Sequence, residues 1–518
     1  MKFVDRRDCL IGLITSSAIM VLPRVAHAIA AVGSVVSSGL AADPRRPQYH
    51  FLPAANWMND PNGPIYWKGS YHLFYQYNPD GAFWGNMHWG HAISKDMVHW
   101  KHFPIALSPT PGGQDADGCF TGAAIVENGR VAILYTGVRS VPEAQATIKD
   151  NGNIMREVQC LAVANDADLK NWTKFPEPVL AEPPAGMDVS GFRDPSPWRK
   201  GDWWYMVVGS GIVNKGGIIL LYRSKNLHNW QFMHVLASRE NSPLAAHKVP
   251  YPREVWECPE IFRLGDRHLL LYSGDGKAQW QSGALDEKTM TFHPEQAGIF
   301  DYGCYYAPKS QLASDGRRIL WGWIPETRKV EEYKAAGWAG MMSLPRVLSL
   351  DGDGQLRIDV VAEVEKLRKK EQTLRFVGDE EKNRTLIKSV RIAGCCGEVR
   401  CTVSISGEPF ELILSDAEDG VEPWLSLKYN PLYPAQILLD GKPLPLVLPA
   451  GEDLEVVLYA DGSVIEVFVN RQVAFTKRFY LSGNKPRALG LQWQGKTSAL
   501  RKLSFWQLSP ISTDRLTS

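Results

Sequence analysis

This sequence predicts an all-β chain: a five-bladed β-propeller over residues 45–350, a linker over 351–372 and a β-sandwich over 373–518. Three observations carry that expectation. Gly69, Gly129, Gly201, Gly265 and Gly316 each sit in a turn followed by an apolar, aromatic strand, at intervals of 51 to 72 residues. A second marker repeats out of phase with the first: Ser94–Trp100 resembles Asp166–Trp172, Ser224–Trp230 and, more distantly, Asp286–Phe292. Helical periodicity is nearly absent across the same span. Short strands repeating at this period suit blades around an axis, and five turns give five blades.

Taken in order, residues 1–31 read as a targeting segment. Arg6-Arg7 precede the uncharged run Cys9–Leu22, which is too short to span a bilayer, and Ala26-His27-Ala28 offers a small-x-small cleavage site. The paired arginines point toward twin-arginine export, with the general secretory route left open. The expectation is a protein exported to the periplasm or beyond, with no membrane in its mature form and acting as a monomer. Lys and Arg total 57 against 56 Asp and Glu, so no basic face for nucleic acid is expected. The 18 Trp, 18 Tyr and 18 Phe are the stronger signal, since aromatic faces suit sugar rings as well as the packing between sheets.

The first blade opens on Trp57–Pro79 (WMNDPNGPIYWKGSYHLFYQYNP). Its Pro-Asn-Gly turn holds Asp60 at the mouth of a strand. Asp194 in Phe192-Arg193-Asp194-Pro195 and Glu257 in Trp256-Glu257-Cys258-Pro259 stand at nearly the same distance before a turn glycine. Innermost strands of a propeller line one axis, so these three carboxylates are expected to converge on one funnel. Two facing carboxyl groups are the minimum equipment for glycoside hydrolysis, and about 5–5.5 Å between them permits a covalent intermediate with retention.

Beyond Leu350, Asp351–Gly354 is a turn, and Val360–Lys370 has the spacing of a short helical connector. The strands Arg400–Ile405, Phe410–Leu414, Leu454–Tyr459, Ser463–Asn470, Gln472–Phe479 and Leu489–Trp493 then form the sandwich, with hairpin turns at Asp461-Gly462 and Asn470-Arg471. Seven cysteines remain after residue 31: Cys119, Cys160, Cys258, Cys304, Cys395, Cys396 and Cys401. All are expected to be structural, with Cys401 within reach of Cys395 or Cys396 across a short hairpin. His88, His91, His99 and His102 lack a carboxylate or thiolate at ligand spacing, and no Gly-rich phosphate loop precedes a helix. No metal and no cofactor are expected.

WMNDPNG, FRDP and WECPE, in this order, resemble glycoside hydrolase family 32, the invertases and fructan hydrolases. The similarity extends through HLFYQYNP (72–79), FWGNMHWGH (83–91), DGCFTG (117–122), DYGCYYAPK (301–309), RRILWGWIPE (317–326), GWAGMMSLPR (337–346) and DGSVIEVFVN (461–470). The resemblance implies Asp60 as nucleophile, Glu257 as general acid and base, and Asp194 with Arg193 as binders of fructose hydroxyls. By the same resemblance Asn59, Gln76, Trp84, Phe120 and Thr121 match positions that shape the fructose pocket, and Trp57 is expected to line its rim. The chain departs from the pattern at Phe120-Thr121, where Trp-Ser is common, and at Pro259-Glu260, where many plant relatives carry Pro-Asp. Asp275 and Lys277 stand, at altered spacing, where plant invertases grip glucose. Sucrose, levan and inulin thus all stay open as substrates, as do transfer to a second sugar, an arabinosidase-type specificity and a non-catalytic sugar-binding propeller. The partner expected is a fructose-containing carbohydrate.

Overall fold

The computed structural model describes residues 39–516 apart from 151–152, 245–250, 406–407, 419, 421–422, 450 and 481–486. The targeting segment expected over 1–31 lies outside the described residues.

Five antiparallel sheets form the blades. Their innermost strands are β1 (Asn56–Trp67), β2 (Gly118–Glu127), β3 (Val189–Lys200), β4 (Glu257–Leu264) and β5 (Tyr306–Leu312). Each touches the next, and β5 touches β1, so the ring is closed. All five turn glycines have positive φ, between 57° and 88°, which glycine reaches at no steric cost. The second marker has its own physical cause. Asp96, Asp166, Asn226 and Asp286 accept backbone N–H groups two to five residues ahead, forming a side-chain-capped turn. In the first three blades a Trp (Trp100, Trp172, Trp230) then donates its indole N–H back to the carbonyl three residues earlier. One repeated local motif thus turns the third strand of a blade into the fourth.

Two segments finish the ring. Helix α1 (Val330–Ala336) leads into β6 (Trp338–Ala339), which runs parallel to β1 with Asn56 opposite Trp338 and Trp57 opposite Ala339. The last blade gains β7 (Leu356–Val360), paired with Arg346–Leu350. That corrects two expectations for the connector. Its first part is the outer strand of blade five, and its second is a 3-10 helix, Ala362–Leu367, burying Val364 and Leu367.

The sandwich consists of two six-stranded sheets. One carries β8 (Val464–Val469) and β9 (Val473–Arg478) at its edge. Both expected hairpin turns are present, with Asn470 and Arg471 left-handed. Helix α2 (Glu380–Lys388), capped by the Asp379 carboxylate, was not expected. The hairpin pairing of Cys401 with Cys395 or Cys396 fails. Cys396 and Cys401 lie on one strand, Cys396–Val403, and five residues of strand separate them by roughly 16 Å.

The two domains meet along a seam of buried charge. His50 Nδ1 lies 2.9 Å from Asp461 Oδ2 and its Nε2 2.9 Å from Glu466 Oε1, so the ring must carry both protons. Arg346 spans Asp301, Glu466 and the Thr476 hydroxyl. Beside the seam, a cleft of about 690 Å³ separates blades four and five from the sandwich.

Candidate active site

One irregularity, repeated five times, shapes the hub. In each innermost strand two residues drop out of register with the next strand. They are Asn59-Asp60 in β1, Phe120-Thr121 in β2, Asp194-Pro195 in β3, Cys258-Pro259 in β4 and Ala307-Pro308 in β5. A β-bulge bends the strand and re-aims the side chains beside it. Asp194, Cys258 and Ala307 are left-handed, with φ of 63°, 54° and 51°. Such strain costs about 1–3 kcal/mol per residue and survives where the surroundings enforce it.

The three acids do converge, though from three successive positions rather than one. Glu257 precedes the bulge of β4, Asp194 opens that of β3, and Asp60 closes that of β1. Asp60 is fully buried. Its Oδ2 accepts from the Thr121 hydroxyl at 2.6 Å and the Cys258 thiol at 3.4 Å, and its Oδ1 from the Asn59 amide at 3.0 Å. Asp194, equally buried, accepts the Cys258 backbone N–H at 2.8 Å, with the Cys258 thiol 3.5 Å from the same oxygen. Cys258 therefore stands between both aspartates. Arg193 Nε lies 3.3 Å from Glu257 Oε1, and its other arm pairs with Glu157. The Tyr306 hydroxyl donates to Glu257 Oε2 at 2.9 Å.

The expected pocket residues surround this core. Trp57 Nε1 donates to Asn59 Oδ1 at 2.8 Å, and the Trp57 ring packs 5.9 Å from Tyr333 and 6.0 Å from Trp323. Trp84 meets Phe120 edge-on at 6.0 Å, and Gln76 donates to the Cys119 carbonyl at 2.9 Å, behind the Phe120-Thr121 bulge. Asp275 lies in the turn after Arg267–Gly274, at the same end of blade four as Glu257, which pairs with Ser273. There it accepts from Arg239 at 3.1 Å, while Arg239 also clasps both oxygens of Glu254 at 2.6 Å. Lys277 instead donates to the Tyr302 and Gly303 carbonyls, each at 2.8 Å.

Three contributors escaped the sequence reading. Cys258, expected to be structural, is a donor inside the site. Tyr306 precedes an Ala-Pro bulge, as Glu257 precedes Cys-Pro; that shared residue-Pro signal would have found it. Glu157, fully buried, anchors Arg193 and accepts the Phe192 N–H at 2.6 Å. Its only signal is an acid set between Arg156 and Gln159 in a strand whose other end, Cys160–Ala164, is apolar. Among the described residues no group of three or more His, Cys, Asp or Glu could hold a metal ion. The hub instead offers two held aspartates, a glutamate with a hydroxyl donor, and aromatic walls, a set suited to a neutral polyol and acid–base work at its bonds.

The Glycosyl hydrolases family 32 N-terminal domain matches residues 50–359, and the Glycosyl hydrolases family 32 C terminal domain matches residues 363–507. A sucrose-6-phosphate hydrolase of Escherichia coli is 35% identical over 487 residues, spanning 89% of this chain and 94% of its own length. A raffinose invertase of Escherichia coli is 35% identical over 491 residues, with 89% and 95% covered. Among solved structures, a Bombyx mori GH32 beta-fructofuranosidase superposes with a TM-score of 0.73 at 28% identity, covering 93% of this chain and 98% of that one. Fructan 1-exohydrolase IIa from Cichorium intybus gives 0.73 at 26%, with 90% and 98% covered. The chain is an enzyme that belongs to glycoside hydrolase family 32.

Proposed function

We propose that this hydrolase is an exo-acting, retaining β-fructosidase that removes terminal β-D-fructofuranosyl units from sucrose or from fructans such as levan and inulin. One observation carries the reading. The Cys258 thiol lies within 3.5 Å of both Asp60 and Asp194 while Arg193, next in the chain to Asp194, reaches Glu257. Three acids from three blades thus meet at the hub.

Asp60 attacks the anomeric carbon of fructose as the bond to the leaving oxygen breaks, and Glu257 gives that oxygen its proton. The fructosyl ester on Asp60 is then cleaved by water, whose proton Glu257 takes back. Thr121 and Asn59 fix the Asp60 oxygens before the attack, so little reorganisation remains for the transition state. Asp194 and Arg193 bind ring hydroxyls, and Trp57, Trp84 and Phe120 wall the ring.

Incubation with sucrose, sucrose-6-phosphate, raffinose, levan, inulin and an arabinan tests this directly. Free fructose as the first product, released as the donor's own anomer in early NMR spectra, is expected. Oligomers longer than the donor would make the enzyme a transferase; the opposite anomer, or arabinose, would overturn the reading.

A further inference from the structure

The Trp57 side of the hub is tied to the second domain. The Tyr480 hydroxyl donates to Glu326 Oε1, and Arg478, at the end of β9, lies 3.7 Å from Glu326 Oε2 and donates to the Pro325 carbonyl at 3.5 Å. Arg328 pairs with Glu326 at 2.7 Å and donates to the Trp338 carbonyl at 2.8 Å. The side chains of Glu326 and Arg478 are each 1% exposed. Burial alone would raise the Glu326 carboxyl, but Arg478 and Arg328 hold it down to about 2. The cluster therefore stays charged and paired over any working pH.

Between Arg328 and Trp338 runs α1. Its Tyr333 ring stands 5.9 Å from Trp57, whose indole N–H holds Asn59, whose amide in turn holds Asp60. Contacts lead without a break from the sandwich to the nucleophile. Among the described residues, the sheet pairing that ties the end of this segment to β1 is the two-residue bridge of β6, and so short a pair holds little by itself.

We propose that Arg478 and Tyr480 are positioning residues: acting through Glu326 and α1, the sandwich sets where Trp57 stands, and so how closely the pocket fits its sugar. The proposal rests on the β-fructosidase reading above and deepens it. A sandwich that only added stability would leave the fit unchanged when this contact is cut.

The test uses the full chain with Tyr480→Phe, Arg478→Met, Tyr333→Ala and the double variant Tyr333→Ala/Tyr480→Phe. His50→Gln serves as comparator, cutting a seam contact that lies off this path. With a substrate from which the wild type releases fructose, Tyr480→Phe and Tyr333→Ala are expected to raise KM about five- to tenfold with kcat within about twofold. The double variant is expected to be no worse than the worse single one, because both cut one path. His50→Gln lowers Tm and leaves KM alone. A lower Tm with unchanged KM in Tyr480→Phe and Arg478→Met, or additive effects in the double variant, would overturn the proposal. A wild type that releases no fructose removes the β-fructosidase reading first, and this inference with it.

Discussion

The hub and the seam are both clusters of buried acids, yet they are wired differently. At the seam, Asp301, Asp461 and Glu466 have fully buried side chains and meet cations: the Arg346 guanidinium and the doubly protonated His50 ring. At the hub, neutral groups also grip the acids: a hydroxyl, an amide and a thiol on Asp60, a backbone N–H on Asp194, and the Tyr306 hydroxyl on Glu257, which the Arg193 guanidinium meets as well. A cation cancels a carboxylate's charge and glues two chain segments; a neutral donor fixes its position and leaves the charge to act. Burial of an acid therefore does not tell cohesion from chemistry; the neutral donors added at the hub mark the difference.

The sharpest way to break this contrast is at the hub. Asp60→Asn or Glu257→Gln is expected to cut fructose release by at least about 10²–10⁴ while the thermal unfolding midpoint stays near wild type. Unfolding of either variant at ambient temperature would show that the hub too is a cohesive device. Glu466→Gln at the seam should do the reverse. Leaving Arg346 and His50 without their shared acid costs about 3–5 kcal/mol in denaturant unfolding, with kcat per folded molecule retained.

The seam also titrates. Burial would lower the His50 pKa, but Asp461 and Glu466 push it up to about 9. Burial would raise that of Glu466, but Arg346 and His50 bring it down to about 2. His50 thus adds stability that is complete below its ordinary pKa, about 6.5, and is lost as pH rises through about 9. Glu466 adds stability that is complete above about 4.5 and is lost as pH falls toward 2. Thermal unfolding followed from pH 4 to 10 should show the alkaline decline in the wild type and a flatter one in His50→Gln. The mildest expected effect is Tyr306→Phe, which removes one donor from Glu257 and lowers kcat about tenfold with Tm unchanged. A kcat equal to wild type would take Tyr306 out of the working site.

Much of this was legible in the residues. The turn glycines and the Asx-to-Trp marker are local motifs with local causes, so they announced five blades. The three acids that meet at the hub were legible because each sits in a short motif rich in Pro and aromatics. What escaped depends on pairing across distance. β7 follows a turn that reads as a boundary, and only its ladder with Arg346–Leu350 makes it part of a blade. Val360–Lys370 has helical spacing, but the segment forms a 3-10 helix over Ala362–Leu367 that buries Val364 and Leu367. Cys258, Tyr306 and Glu157 gain their meaning from neighbours tens of residues away.

The two-residue strand β6 has one more consequence. Ala339 closes against Trp57, 282 positions behind it in the chain. At about 5–20 residues per second of synthesis, Asp60 waits on the order of 15–55 s before that stitch can be sewn. A nascent polypeptide thus spends much of its time on the ribosome with the strand edge at Trp57 still uncovered, and the first blade is finished only when the inner strands of the fifth have been made.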